Sequence, residues 1–148
     1  MRRFPVILPF LFSLLAGMIL SGAAEKRPLQ FDDLMKVQRV ADPQLSPDGK
    51  WIAYTVSVVD KDKNSRNSDI WIIPAAGGEA RPLTRSPGND ERPRWSPDGR
   101  AIAFVSTREG ASQIYLLPLD GGEARKITQI ATEAGGVSFS PDGKHVLF

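Results

Sequence analysis

Ser46-Pro47-Asp48-Gly49, Ser96-Pro97-Asp98-Gly99 and Ser140-Pro141-Asp142-Gly143 punctuate this chain at intervals of 50 and 44 residues. Each phrase is a turn by its chemistry. Proline at the second position presets φ for a type I turn. Aspartate accepts local backbone hydrogen bonds, and glycine tolerates the positive φ that returns the chain to a strand. Leu45, Trp95 or Phe139 closes the strand before each turn, and Lys50, Arg100 or Lys144 opens the strand after it. Each phrase therefore reads as the loop of a β-hairpin.

Working outward, a second phrase repeats between the turns. Ile70-Trp71-Ile72-Ile73-Pro74 with Gly77-Gly78-Glu79-Ala80-Arg81 returns 44 residues later as Ile114-Tyr115-Leu116-Leu117-Pro118 with Gly121-Gly122-Glu123-Ala124-Arg125. Counted from each turn serine, the sixth slot holds Ile52, Ile102 and Val146, and the eighth holds Tyr54, Phe104 and Phe148. The fifth slot, with Trp51, Ala101 and His145, is the loosest. The strand after the turn alternates, yet both of its faces are largely apolar: Ile102 and Phe104 oppose Ala101, Ala103 and Val105. A sheet covered on both faces looks like that. A third strand runs over Ile70–Ile73 and Ile114–Leu117. A fourth follows the Gly-Gly turn through Arg81-Pro82-Leu83-Thr84 and Arg125-Lys126-Ile127-Thr128. Pro82 has no backbone donor, so this strand suits an outer edge.

Four strands per copy at a period in the mid-forties is the signature of a β-propeller blade. The predicted fold is all-β: an incomplete propeller of two four-stranded blades, at about 41–84 and 91–128, and half of a third at 135–148. Because propellers close with about 4–8 blades, the sequence is expected to be part of a larger ring. The first interval is longer because Ser46 to Ile70 is 24 residues while Ser96 to Ile114 is 18; the extra residues are assigned to a polar loop over Asp60–Ser68. Ahead of the blades, residues 25–40 read as a lead-in and a short helix, Phe31 to Val40. Asp32 and Asp33 favour its N-terminus, and Asp42-Pro43 stops it.

Residues 1–24 read as a secretory signal peptide: Arg2 and Arg3, an apolar run from Val6 to Leu20, then Ser21-Gly22-Ala23-Ala24. The run is shorter than the roughly 20 residues that a membrane span needs. Export to a bacterial periplasm or the medium is the expected localisation, with no membrane attachment after cleavage. Removing Arg2 and Arg3 from the 19 basic residues leaves as many as the 17 acidic ones. The excess positive charge thus belongs to the leader, and nothing favours nucleic acid as a partner. With no cysteine in the chain, disulfides, thiolate zinc sites and a lipid-modified cysteine are excluded.

Catalytic machinery is not expected in this chain. The nearest approach to a Gly-x-Ser-x-Gly elbow is Gly136-Val137-Ser138-Phe139-Ser140, which lacks the closing glycine and falls on a predicted strand. The single histidine, His145, occupies the slot of Trp51 and Ala101 and reads as a strand residue. Asp60-Lys61-Asp62-Lys63-Asn64 opens like a calcium loop, but Ser65 and Trp71 stand where glycine and glutamate are needed. Trp51, Trp71 and Trp95 keep register with other apolar residues and read as core. The charged run Asn89–Arg94 precedes an innermost strand. It reads as a polar connection, the alternative being that it points into a central channel. No catalytic, cofactor or metal residue is assigned. The residues singled out are the four of each turn, and their role is structural.

These repeats resemble the TolB-like or WD-type propeller repeat. The stretch from Phe31-Asp32-Asp33-Leu34-Met35 through Asp42-Pro43-Gln44-Leu45-Ser46-Pro47-Asp48-Gly49-Lys50 is similar to the start of secreted bacterial members of the prolyl oligopeptidase family, in the acylaminoacyl-peptidase or dipeptidyl-peptidase-like branch. The resemblance covers Leu29 to Phe148. It implies a propeller that caps a C-terminal α/β-hydrolase domain carrying serine, aspartate and histidine, and that admits only short or unfolded peptides. The implied partners are that hydrolase domain, the remaining blades and a peptide substrate. The other reading is a non-catalytic, TolB-like periplasmic propeller that binds proteins. TolB-like proteins place a sizeable α/β domain ahead of the propeller, whereas fewer than 25 residues separate the expected cleavage site from the first turn here. That spacing favours the peptidase.

Overall fold

The computed structural model describes residues 27–148, so the signal-peptide assignment to residues 1–24 lies outside the described residues. Strands β1 (Arg39–Leu45), β2 (Trp51–Asp60), β3 (Ser65–Pro74) and β4 (Arg81–Pro82) form one antiparallel sheet in that order. Strands β5 (Asp90–Trp95), β6 (Ala101–Ser106), β7 (Gln113–Pro118) and β8 (Arg125–Lys126) form a second sheet of the same topology. A hairpin of β9 (Ser138–Phe139) and β10 (Val146–Leu147) follows. The fold is the expected all-β one: two propeller blades and the inner hairpin of another.

The three turns superpose bond for bond. In each, the glycine N–H donates to the serine carbonyl at 2.9 Å, and the glycine φ is 70–72°. The serine hydroxyl donates to the aspartate Oδ1, at 2.6 Å for Ser46 and Ser96. It also accepts the N–H of the fifth residue on, at 2.9 Å from Trp51 and Ala101 and 3.0 Å from His145. Each serine thus ties the first rung of the hairpin to the turn, while the aspartate takes the N–H of Lys50, Arg100 or Lys144 at 3.1 Å. A second repeated device extends the short outer strands. The Ile70 and Ile114 N–H groups donate to Thr84 Oγ1 at 2.9 Å and Thr128 Oγ1 at 2.8 Å, so a threonine hydroxyl continues each ladder where its backbone pairing ends.

The core lies between blades. Ala53 and Ile70 of the first sheet pack with Ile102, Phe104, Tyr115 and Leu117 of the second in one buried cluster. On the other face of the second sheet, Ala103 and Ile114 pack with Ala134 and Val137, which lead into β9. The turns stack as well: Pro47 lies 3.6 Å from where a Cβ on Gly99 would sit, and Pro97 stands in the same relation to Gly143.

Three expectations are corrected. The helix α1 is Phe31–Lys36, six residues rather than ten, and none of them is buried. Val37 already has extended backbone, and the segment after it is claimed by pairing with β2; Asp42-Pro43 lies inside β1 and does not end a helix. So short a helix has little intrinsic stability. It is held by ion pairs of Arg27 with Asp33 and of Lys61 with Asp32, each at 2.6 Å. The extra residues of the first blade lengthen a hairpin instead of a loop: β2 and β3 pair in register from Trp51↔Pro74 out to Asp60↔Ser65. Lastly, Asn89–Arg94 is not a polar connection. Most of it is strand β5, and Asp90 is fully buried, accepting from Ser106 Oγ at 2.6 Å and from Arg108 Nη2 at 2.8 Å. The ion pair with Arg108 offsets the cost of burying the Asp90 charge, and the Arg108 guanidinium also lies 4.6 Å from the Tyr115 ring centre. Among the described residues no helix is long and apolar enough to cross a membrane.

Gly88→Ala is the more damaging of two glycine substitutions. A Cβ on Gly88 would sit 2.6–2.7 Å from the backbone of Thr107 and Arg108, which cannot withdraw without opening the loop. Gly99→Ala meets only ordinary contact and incurs the left-handed backbone cost of about 1–2 kcal/mol. Urea midpoints of the two variants should differ in that order. Acid should loosen the turns. Asp48, Asp98 and Asp142 all titrate below the usual carboxylate value, chiefly through the serine hydroxyl bond and next through the backbone N–H. A depressed folded-state value means stability fully present above the unfolded value of about 3.9 and lost as pH falls through the lower, folded one. Melting temperature should therefore drop below about pH 4, less steeply in Ser46→Ala and Ser96→Ala.

Candidate functional site

Both inner strands carry the same irregularity. Pairing of β1 with β2 jumps from Ala41↔Thr55 to Gln44↔Ala53, leaving Asp42 and Pro43 opposite one residue. In β5 the jump is from Glu91↔Val105 to Arg94↔Ala103, around Arg92 and Pro93. Asp42 and Arg92 have φ of 50° and 57°, unusual for residues with a Cβ. Proline follows each of them, and its missing N–H falls where the ladder is already interrupted. A bulge re-aims side chains, and here it turns Asp42 and Arg92 toward the seam between blades.

That seam is lined by charge. Arg94 Nη1 lies 2.7 Å from Asp42 Oδ2, an ion pair joining the two blades. Trp95 Nε1 donates to the Gln44 carbonyl at 2.9 Å, and the Arg92 N–H donates to Thr55 Oγ1 at 3.3 Å, both again across the seam. Arg66 Nη2 approaches Glu91 Oε1 at 3.7 Å. Two adjoining clefts open here. One of about 340 Å³ is lined by Asp42, Thr55, Ser57, Arg66, Glu91 and Arg92. The other, about 250 Å³, lies between Arg92, Asn89 and Glu91 on one side and Glu133 to Gly135 on the other.

Of the residues singled out in the sequence, the run Asn89–Arg94 lines these clefts through Asn89, Glu91 and Arg92, and the others fall elsewhere. The turn residues Ser46–Gly49 and Ser96–Gly99 lie beyond the far ends of β1 and β5 from the clefts. His145 is exposed beside the third turn, and its backbone, not its ring, bonds Ser140. Ser138 pairs with Leu147 in β9. Asp60 is taken by its own loop: Lys63 donates its N–H at 3.0 Å and places Nζ 3.0 Å away. Among the described residues, no group of three or more His, Asp or Glu is arranged to hold a metal ion. Asp69 is pushed upward by burial, opposed by hydrogen bonds from the Ser86 N–H and the Thr84 hydroxyl, and it serves the outer strand. What the clefts offer is paired and unpaired charge suited to holding a polar chain. The signal for them in the sequence is slight: a residue-proline pair in the same slot of the first two copies, Asp42-Pro43 and Arg92-Pro93. A double-mutant cycle on Asp42→Ala and Arg94→Ala should give a coupling of about 0.5–1 kcal/mol for this part-exposed pair, read from urea unfolding.

Residues 34–148 match the family described as the TolB beta propeller domain. The uncharacterized peptidase YuxL of Bacillus subtilis is 44% identical over 85 residues, which are 57% of this chain and 13% of that protein. Dipeptidyl-peptidase 5 of Porphyromonas gingivalis is 33% identical over 111 residues, 70% of this chain and 16% of that protein. The structure of a protein of Agrobacterium tumefaciens assigned as TolB aligns with a TM-score of 0.58 at 31% identity, covering 74% of this chain and 37% of that one. The chain thus spans well under a fifth of the two peptidases it matches. With the match running from Leu34 to Phe148 across both blades and the third hairpin, the chain belongs to the TolB beta propeller domain family.

Proposed function

We propose that this chain is the propeller part of an exported serine oligopeptidase, gating and positioning peptides for an α/β-hydrolase domain carried elsewhere in the polypeptide. One observation carries the reading: the similarity to dipeptidyl-peptidase 5 runs over 111 residues, 70% of the chain, and YuxL, also a peptidase, shares 44% identity over 85 residues. Bond cleavage is not assigned to the blades. Their role is selection, because a ring of packed sheets admits an extended peptide end and turns away a folded protein. The charged seam at the bulges fits that role, since it presents hydrogen-bonding groups of both signs to a peptide backbone. The leader-like residues 1–24 support export, to the periplasm or the medium, with cleavage near Ala23 or Ala24. The blade boundaries at about 41–84, 91–128 and 135–148 belong to the same proposal.

The test is to read the polypeptide past Phe148 and assay the full-length product. A Gly-x-Ser-x-Gly elbow with later aspartate and histidine, labelling by a fluorophosphonate, and release of chromophore from aminoacyl or dipeptidyl substrates are the expected results. The 148-residue chain by itself should show no turnover. A polypeptide that ends soon after its last blade, without labelling or turnover, would overturn the peptidase and leave a protein-binding propeller of the TolB kind.

A further inference from the structure

The bulge is the same in the first two blades, but its electrostatics are not. Four residues before the turn serine stand Asp42 in β1 and Arg92 in β5, both at positive φ. Asp42 is neutralised across the seam by Arg94, which stands two residues before its own turn serine. The matching residue of the third hairpin is Ser138, which has no charge to offer Arg92. The bulge slot itself is filled there by Gly136, with no side chain at all. A Cβ built on Gly136 would lie 3.9 Å from Arg92 Nη1. The Arg92 guanidinium therefore faces a place where the repeat has lost its side chain.

Among the described residues no carboxylate lies within 4.0 Å of Arg92, and Glu91, its neighbour on β5, is turned to Arg66 at 3.7 Å. Arg92 is exposed and lines both clefts, so its charge is reachable from solvent. Its backbone, by contrast, is fixed by the bulge and by the bond to Thr55 Oγ1. A guanidinium on a fixed backbone, with two parallel donors and no carboxylate partner among the described residues, is matched in shape and charge by a carboxylate.

We propose that Arg92 is a carboxylate-binding residue, holding the carboxylate of a peptide in the cleft of about 250 Å³ lined by Arg92, Arg66, Glu91, Glu133 and Gly135. An oxyanion follows from the guanidinium fork; that it is the carboxylate of a peptide rests on the peptidase reading above. The cleft is open and the pair would be partly hydrated, so the interaction adds selectivity more than affinity.

The probes are acetyl-tri-D-alanine as free acid and as C-terminal amide, which differ only in the carboxylate and resist hydrolysis. A third probe, an amidated D-peptide with one D-glutamate, carries the carboxylate on a side chain. Binding is read by calorimetry on the full-length polypeptide, so that the result does not depend on turnover. The free acid is expected to bind about fivefold more tightly than the amide. Arg92→Ala should bring that ratio to about one, and so should Gly136→Asp, which keeps Arg92 but sets a carboxylate against it as Arg94 is set against Asp42. Gly136 is outside the left-handed region, so aspartate is tolerated there. If the glutamyl amide also binds as tightly as the free acid, the site reads carboxylates wherever the peptide bears them; if it binds like the plain amide, the site reads the C-terminus. Equal binding of acid and amide to the unmodified protein, or a preference that survives both substitutions, would overturn the proposal. Carboxylate preference without peptidase activity would sink the functional reading and leave this site standing.

Discussion

The second sheet is apolar on both faces, and both must be kept from water at once. Phe104 and Ile102 on one side and Ala103 on the other are fully buried, and no residue of their own sheet alone achieves that. The first blade covers one face with Ala53 and Ile70, and the approach to the third hairpin covers the other with Ala134 and Val137. Every other feature answers to this demand. The outer strand of each blade shrinks to two residues, with a threonine hydroxyl to finish its ladder. The turns are fixed because a slip of one residue would exchange the two buried faces.

Polar structure is confined to the ends of the blades, where it serves registration. At one end the serine-proline-aspartate-glycine turns stack, proline upon glycine, from blade to blade. Toward the other the bulges send charge into the seam, where Asp42 meets Arg94. Asp90 is the one carboxylate among the described residues with no exposed surface, and it is matched by Arg108 and Ser106 within its own blade. The contrast between a sealed ion pair at Asp90 and an unmatched cation at Arg92, two residues along the same strand, separates structural charge from charge available to a ligand.

Much of this was legible in the residues. The turn phrase, the 44-residue offset and the two-faced apolar strands after each turn specify blades on their own. The phrase shows the place of the serine but not that its hydroxyl bonds both the aspartate and the N–H five residues on. The bulges are not distinguishable in the sequence because Asp-Pro and Arg-Pro carry the chemistry of chain breaks, and a break and a bulge call for the same residues. The lengthened hairpin was hidden for a similar reason. Ser65 to Asp69 is polar, and nothing in its composition marks it as strand; it pairs only because β2 has already laid an edge beside it.

Local chemistry by itself determined the turns, the repeat and the fold class, since each depends on residues a few positions apart whose backbone preferences are strong. The tertiary structure alone decided which charges are satisfied. Asp42 and Arg94 are 52 residues apart, and Thr55 and Arg92 are 37 apart; no spacing rule joins either pair. They come together because neighbouring blades must exclude water between their faces, and that packing alone sets which charge finds a partner and which is left facing the cleft.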